Sequence, residues 1–69
     1  MDFQLVSFEF IELDNLLKAT KLVASGAEAK RHILAGSIKI NGQVETRVRR
    51  KLRLGDFVEF GEQQISIVA

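Results

Sequence analysis

The hydrophobic period of this chain switches from helical to strand spacing at Gly36. Before it, Leu13, Leu16, Leu17 and Thr20 recur at helical spacing, and Ala29, Ile33 and Leu34 mark the apolar side of a second helical stretch. From Ser37 onward apolar and polar residues alternate, the period of a strand. With the alternating run at the N-terminus, this orders the chain as strand, helix, helix, then four or so strands. No repeat, linker or low-complexity tract interrupts it.

Local signals sharpen the order. Phe3 and Leu5, then Phe8 and Phe10, alternate with polar residues and slip phase near Val6 and Ser7, which predicts one or two short strands with a bend. The first helix is expected over 13–20. Ser25 and Glu28 form a capping box, the serine oxygen accepting from the amide of Glu28 and the glutamate reaching back to the amide of Ser25. The second helix is expected over 26–35, with Gly36 as its left-handed stop, Arg31 and His32 pointing outward, and Lys30 at the edge of the apolar stripe. Asn41-Gly42 marks a hairpin. The apolar phase favours a three-residue loop, 40–42, pairing Ile38 with Val44 and Lys39 with Gln43. Gly55-Asp56 and Gly61-Glu62 turn the chain into "FVEF" and then "QISIVA".

The formal net charge of +1 conceals a segregation. Residues 1–17 carry −4, residues 18–53 carry +8 with all ten Lys and Arg, and residues 54–69 carry −3. Five cations crowd "RVRRKLR", from Arg47 to Arg53. If that segment is extended, Val48, Leu52 and Leu54 fall on one face and Arg47, Arg49, Lys51 and Arg53 on the other. Arg50 alone falls on the apolar phase, so a turn or bulge is expected beside it.

Several function classes find no support. Catalysis needs a positioned acid, base, nucleophile or metal. One histidine, His32, and no cysteine cannot supply a usual zinc site. "GDFVEFGE" lacks the spacing and the Lys-Ser or Lys-Thr of a phosphate loop. No enzyme activity, metal or cofactor is expected. No apolar run approaches the roughly 18 residues of a membrane span, and "MDFQLVSFEF" has no basic n-region of a signal peptide. The 69 residues are expected to form a single domain over 1–69, monomeric and cytoplasmic.

Polyanion binding fits the charge. Arginine suits phosphate because its planar fork donates two hydrogen bonds together. Tyr and Trp are absent, and all five Phe fall on apolar strand phases, so base-stacking platforms are not expected. Recognition should then depend on phosphate and shape, a mode suited to folded RNA.

The pieces Leu13-Asp14, Leu16-Leu17, Ser25, Glu28-Ala29-Lys30, Gly36, Ile38-Lys39-Ile40-Asn41-Gly42 and Leu54-Gly55-Asp56 also stand in a recognisable order and spacing. From Glu12 to Phe60 the chain resembles the RNA-binding domain first known from small-subunit ribosomal protein S-four, the alpha-L motif, and in particular its small stand-alone bacterial members of the YbcJ type. The resemblance implies an α+β fold, two short helices packed on a small bent antiparallel sheet, and non-catalytic binding of structured RNA, typically ribosomal or transfer RNA. It implies a contact surface of Ser25, Lys30, Arg31, Lys39, Asn41 and Gly42, with the loop carrying Arg47, Arg49, Arg50 and Lys51 beside it; the charge pattern adds Arg53. Three positions depart from the family pattern: Glu12 replaces an arginine, Gly26 a basic residue, and Lys21 the glycine that ends the first helix. A left-handed Lys21 would cost about 1 kcal/mol.

Two other readings compete. "LLKATKLVASGAEAKRHILAG" could be a DNA-binding helix-turn-helix, although the strongest charge lies on the strands. The basic face could instead meet an acidic protein. The RNA reading requires the cations to share a side and to be free of carboxylate neighbours.

Overall fold

The computed structural model describes residues 1–6 and 9–69. Its elements are β1 (Asp2–Gln4), β2 (Ile11–Glu12), α1 (Leu13–Ala19), α2 (Gly26–Leu34), β3 (Ile38–Ile40), β4 (Gln43–Val44), β5 (Lys51–Leu52), β6 (Phe57–Phe60) and β7 (Gln63–Val68). A five-stranded sheet runs in the order β1-β7-β6-β3-β4, and β2 with β5 forms a separate two-stranded sheet. Phe8, expected on the first alternating run, lies outside the described residues.

Both helices lay an apolar stripe on the inner face of the larger sheet. Leu13, Leu16 and Leu17 of α1 and Ala29 and Ile33 of α2 are fully buried with Ile38, Val58 and Ile65 of the sheet and Leu52 of β5. The strands alternate as their period requires: Ile38 and Ile40 face inward and Lys39 outward. Leu34 departs from expectation and is 56% exposed. The helix is rolled so that His32 rather than Leu34 flanks Ile33, and the His32 ring lies 4.9 Å from that of Phe60.

The sheet is antiparallel between β3 and β4, β3 and β6, and β6 and β7, but β1 joins β7 in parallel, making it mixed. Alternation reveals a strand but not its partner. Here β1 lies on the far edge, and every element from β2 to β6 serves as the crossover that a parallel pair needs. The pairing extends beyond β1 through Leu5 N–H to Val68 O at 2.8 Å.

The first hairpin also differs from expectation. Lys39 pairs with Val44 and Ile40 with Gln43, so the loop is Asn41-Gly42 alone. Both residues have positive φ, 53° and 85°, as a two-residue type I′ turn demands. The apolar-phase argument fails because Val44 sits on the sheet edge, 56% exposed, and needs no inward register. The second hairpin, Phe60 to Gln63 across Gly61-Glu62, is as expected.

Both helices end in Schellman motifs. After α2, Gly36 N–H bonds to Ile33 O and Ser37 N–H to His32 O, with Gly36 at φ 80°. After α1, Lys21 N–H bonds to Lys18 O and Leu22 N–H to Leu17 O, with Lys21 at φ 61°. The lysine therefore holds the left-handed position that glycine holds after α2. Leu22, next in the chain, packs on the core and fixes the turn. Lys21→Gly removes the Cβ strain but adds unfolded-state entropy, for a net gain of about 0.5–1 kcal/mol. Thermal unfolding should show a midpoint raised by about 2–8 °C, whereas Lys21→Ala should show no rise.

Candidate nucleic-acid interface

The segment between β4 and β5 is organised by one buried carboxylate. Glu45 is 7% exposed. Its Oε2 accepts from the Nε and backbone N–H of Arg47, both at 3.0 Å, and its Oε1 accepts from Arg47 Nη2 at 2.9 Å and Arg50 Nη1 at 2.8 Å. Arg47 thus grips it with two parallel bonds, the strong form of an arginine–carboxylate pair. The Arg47 guanidinium, against the cost of burial and with help from Arg50 and the Arg47 amide, pulls the Glu45 carboxyl down to about 2.

This contact closes a turn, Arg50 N–H to Arg47 O at 3.2 Å. The turn in turn supplies carbonyls to α1. Leu13 N–H bonds to Arg50 O at 2.9 Å and Asp14 N–H to Val48 O at 3.1 Å, satisfying donors that every helix start leaves unpaired. Glu12, at the N-cap, makes no side-chain cap, so these carbonyls do that work. The β2–β5 pairing, Ile11 with Leu52 and Glu12 with Lys51, anchors the far end of the basic segment to the same helix.

The expected extended face of cations is therefore corrected. Only Lys51–Leu52 is a strand; residues before it follow the Glu45 turn, which falls beside Arg50 as expected. Leu54 is not on an inner face but 58% exposed, at the corner of a turn closed by Asp56 N–H to Arg53 O. Arg47, Arg49, Arg50 and Lys51 together line one depression of about 470 Å³. Four positive charges against the one Glu45 carboxylate leave it at +3. The Lys51 ammonium and Arg53 guanidinium lie over the Phe10 ring, at 4.8 and 5.6 Å from its centre, a cation–π arrangement.

The remaining sequence-predicted residues lie elsewhere. Lys39 projects from the outer face of the sheet with Glu59 directly across the ladder, in a separate depression with Gly36, Ser37 and Gly61. Lys30 and Arg31 are exposed on α2. Ser25 caps α2, its Oγ accepting from Glu28 N–H at 3.2 Å; Glu28 reaches back to the amide of Ala24 rather than that of Ser25. Asn41 clips two turns together. Its Nδ2 donates to Asp56 Oδ1 at 3.0 Å, and its Oδ1 accepts from Phe57 N–H at 2.9 Å, while Gly42 completes the hairpin. Burial disfavours ionisation of Asp56, but the Arg53 amide and the Asn41 side chain, with the fields of Arg50 and Arg53, outweigh it and hold its carboxyl below the ordinary range.

The condition that the cations be free of carboxylates is met only in part. Arg47 and Arg50 pair with Glu45, Glu59 faces Lys39, and Glu12 faces Lys51. Among the described residues, Lys30, Arg31, Lys39, Arg49, Lys51 and Arg53 make no ion pair within 4.0 Å. Sequence reasoning missed Glu45 and Asp56. The available signal for the first was a lone acid two and five residues before arginines in an otherwise cationic run.

Glu45 carries a pH dependence whose sign follows from its depressed folded-state value. Its contribution is present above the unfolded value, about 4.3, and is lost as pH falls toward 2. Discounted for the 72% exposure of the Arg47 side chain, it amounts to about 1–2 kcal/mol. Thermal unfolding of wild type and Glu45→Gln should differ by about 4–16 °C at pH 6, and the gap should close as pH approaches 2. A gap that persists there contradicts this assignment.

Comparison with known proteins accords with this architecture. The S4 domain family matches residues 3–68. The YbcJ proteins of Escherichia coli (strain K12) and Shigella flexneri are each 40% identical over 67 residues, covering 97% of this chain and 96% of theirs. The solution structure of E. coli YbcJ, described as revealing an αL motif involved in RNA binding, superposes with a TM-score of 0.76 at 40% identity, covering 99% of this chain and 86% of that one. A match across nearly the whole chain, in sequence and in fold, establishes that the protein belongs to the S4 domain family.

Proposed function

We infer that the protein binds structured RNA, without catalysis, by reading phosphate positions and shape. The observation that carries this reading is the depression of Arg47, Arg49, Arg50 and Lys51, at +3, in a chain whose relative's αL motif is described as involved in RNA binding. Arg49 and Lys51 supply unpaired charge, and Arg47 and Arg50 keep N–H donors beyond those given to Glu45. Arg53, Lys30, Arg31 and Lys39 extend the positive potential. Ser25, Asn41 and Gly42 contribute by shaping the α2 start and the hairpin tip. The protein acts as a monomer, in the cytoplasm, on a folded ligand such as ribosomal RNA.

A helix-turn-helix reading is not favoured. The densest cation cluster lies on the segment after β4, not on α2, the helix that would enter a DNA groove.

Affinity for a stem–loop RNA should fall steeply with salt. Neutralising about five phosphates gives a slope of log K against log[salt] near −3.5 to −4.5, and binding that is flat between about 50 and 200 mM contradicts phosphate contact as the main term. Arg49→Glu with Lys51→Gln should abolish binding in a fluorescence titration while the unfolding midpoint stays within about 5 °C. Glutamine is chosen at 51 because Glu12 faces that position, and a second acid there would repel it. Unfolding of this variant would assign the two cations to the fold instead.

A further inference from the structure

The carboxylate at the centre of a cationic surface needs an explanation beyond charge balance. A glutamate among arginines weakens the attraction for any polyanion by one charge. If affinity alone mattered, a neutral side chain at position 45 would serve better. Glu45 does something a neutral group cannot: it holds two guanidiniums by three bonds and the Arg47 amide by a fourth, each within 3.0 Å. Its own side chain is 9% exposed, so the negative charge is hidden while the cations it holds remain at the surface. Arg47 spends two of the five N–H donors of a guanidinium on Glu45. The other donors stay in a plane fixed by the carboxylate.

We propose that Glu45 is a positioning residue that sets selectivity for folded over unstructured RNA. The proposal rests on the RNA-binding reading above and adds to it a residue that touches no RNA. An arginine free to move finds phosphates on any strand, since both partners adapt. An arginine latched in one geometry gains most from phosphates already held at matching positions, because neither side then loses much freedom on contact. Folded RNA presents such phosphates and an unstructured strand does not. The latch also fixes Arg50, half-hidden at 28% side-chain exposure, at the floor of the same depression.

The test compares a stem–loop RNA with an oligouridylate of equal length, titrated against wild type and Glu45→Gln at several salt concentrations. Glutamine preserves shape and one acceptor but releases the guanidiniums. Oligouridylate affinity should rise and its salt slope should steepen by about 0.7, the value for one further cation on a single strand. The ratio of stem–loop to oligouridylate affinity should fall about 3- to 10-fold, the cost of immobilising one long side chain at the moment of binding. Arg47→Gln provides a second arm that keeps Glu45 bonded to Arg50. It should weaken the stem–loop more than the oligouridylate, whereas an arginine contributing charge alone would weaken both equally. An unchanged ratio in Glu45→Gln, or equal losses in Arg47→Gln where Glu45→Gln does not fold, overturns the proposal. A wild type that binds neither RNA overturns the RNA-binding reading itself, a result separate from these.

Discussion

Among the described residues, the Glu45 carboxylate accepts more hydrogen bonds than any other side chain. It accepts the Arg47 amide and both neighbouring guanidiniums, and this closes the 47–50 turn. That turn offers Val48 O and Arg50 O to the first amides of α1, which has no side-chain cap of its own. The helix so started delivers Leu13, Leu16 and Leu17 to the core. A polar contact in a loop thereby sets where an apolar helix begins. In a chain of 69 residues without cysteine, where the buried fraction of surface is small, such contacts carry a share of specification that a larger core would take.

A second clip of the same kind joins Asn41 to Asp56. The type I′ turn requires a left-handed Asn41, a conformation its short polar side chain tolerates when it bonds locally. Here the side chain reaches the next turn instead, holding Asp56 and the first amide of β6. Asp56 in turn accepts the Arg53 amide at 2.8 Å. The two clips bracket the basic segment, Glu45 at its start and Asp56 at its end. Its cations are consequently carried on a frame with few free torsions.

The helices, their order, the capping serine, the two glycine-marked hairpins and most of the core were legible because each is written in residues close together in sequence. The Lys21 strain was legible for the same reason, since helix length and a missing glycine located it. What escaped depends on contacts between distant residues or on exposure. Val44 and Leu54 are apolar but lie on an edge and a turn corner, so phase arguments that assumed burial misplaced both. His32 turns inward because Phe60, far along the chain, offers it a ring. The parallel β1 is invisible to alternation, which carries no partner or direction. Within the candidate site the basic residues were plain in the sequence. Their division into two depressions was not, because Lys39 belongs to the outer sheet face and the Arg47–Lys51 group to the turn that starts α1.

The cations of this surface are held in three ways, and the differences bear on what each can contribute to the function proposed. Arg47 and Arg50 are fixed by a carboxylate. Lys51 and Arg53 lean on the Phe10 ring, an attraction that restricts direction but uses up no hydrogen-bond donor. Lys30, Arg31 and Arg49 are exposed and make no ion pair among the described residues. Free side chains release counterions on any phosphate backbone and so supply affinity and rapid encounter. On the latch proposed for Glu45, fixed ones distinguish among ligands, because a misplaced phosphate cannot recruit them. A net charge of +1 suits this division of labour. The acids of the N-terminal and C-terminal segments hold the total low, which limits indiscriminate attraction to polyanions, while the depression after β4 keeps a local field strong enough to act within a Debye length, about 10 Å.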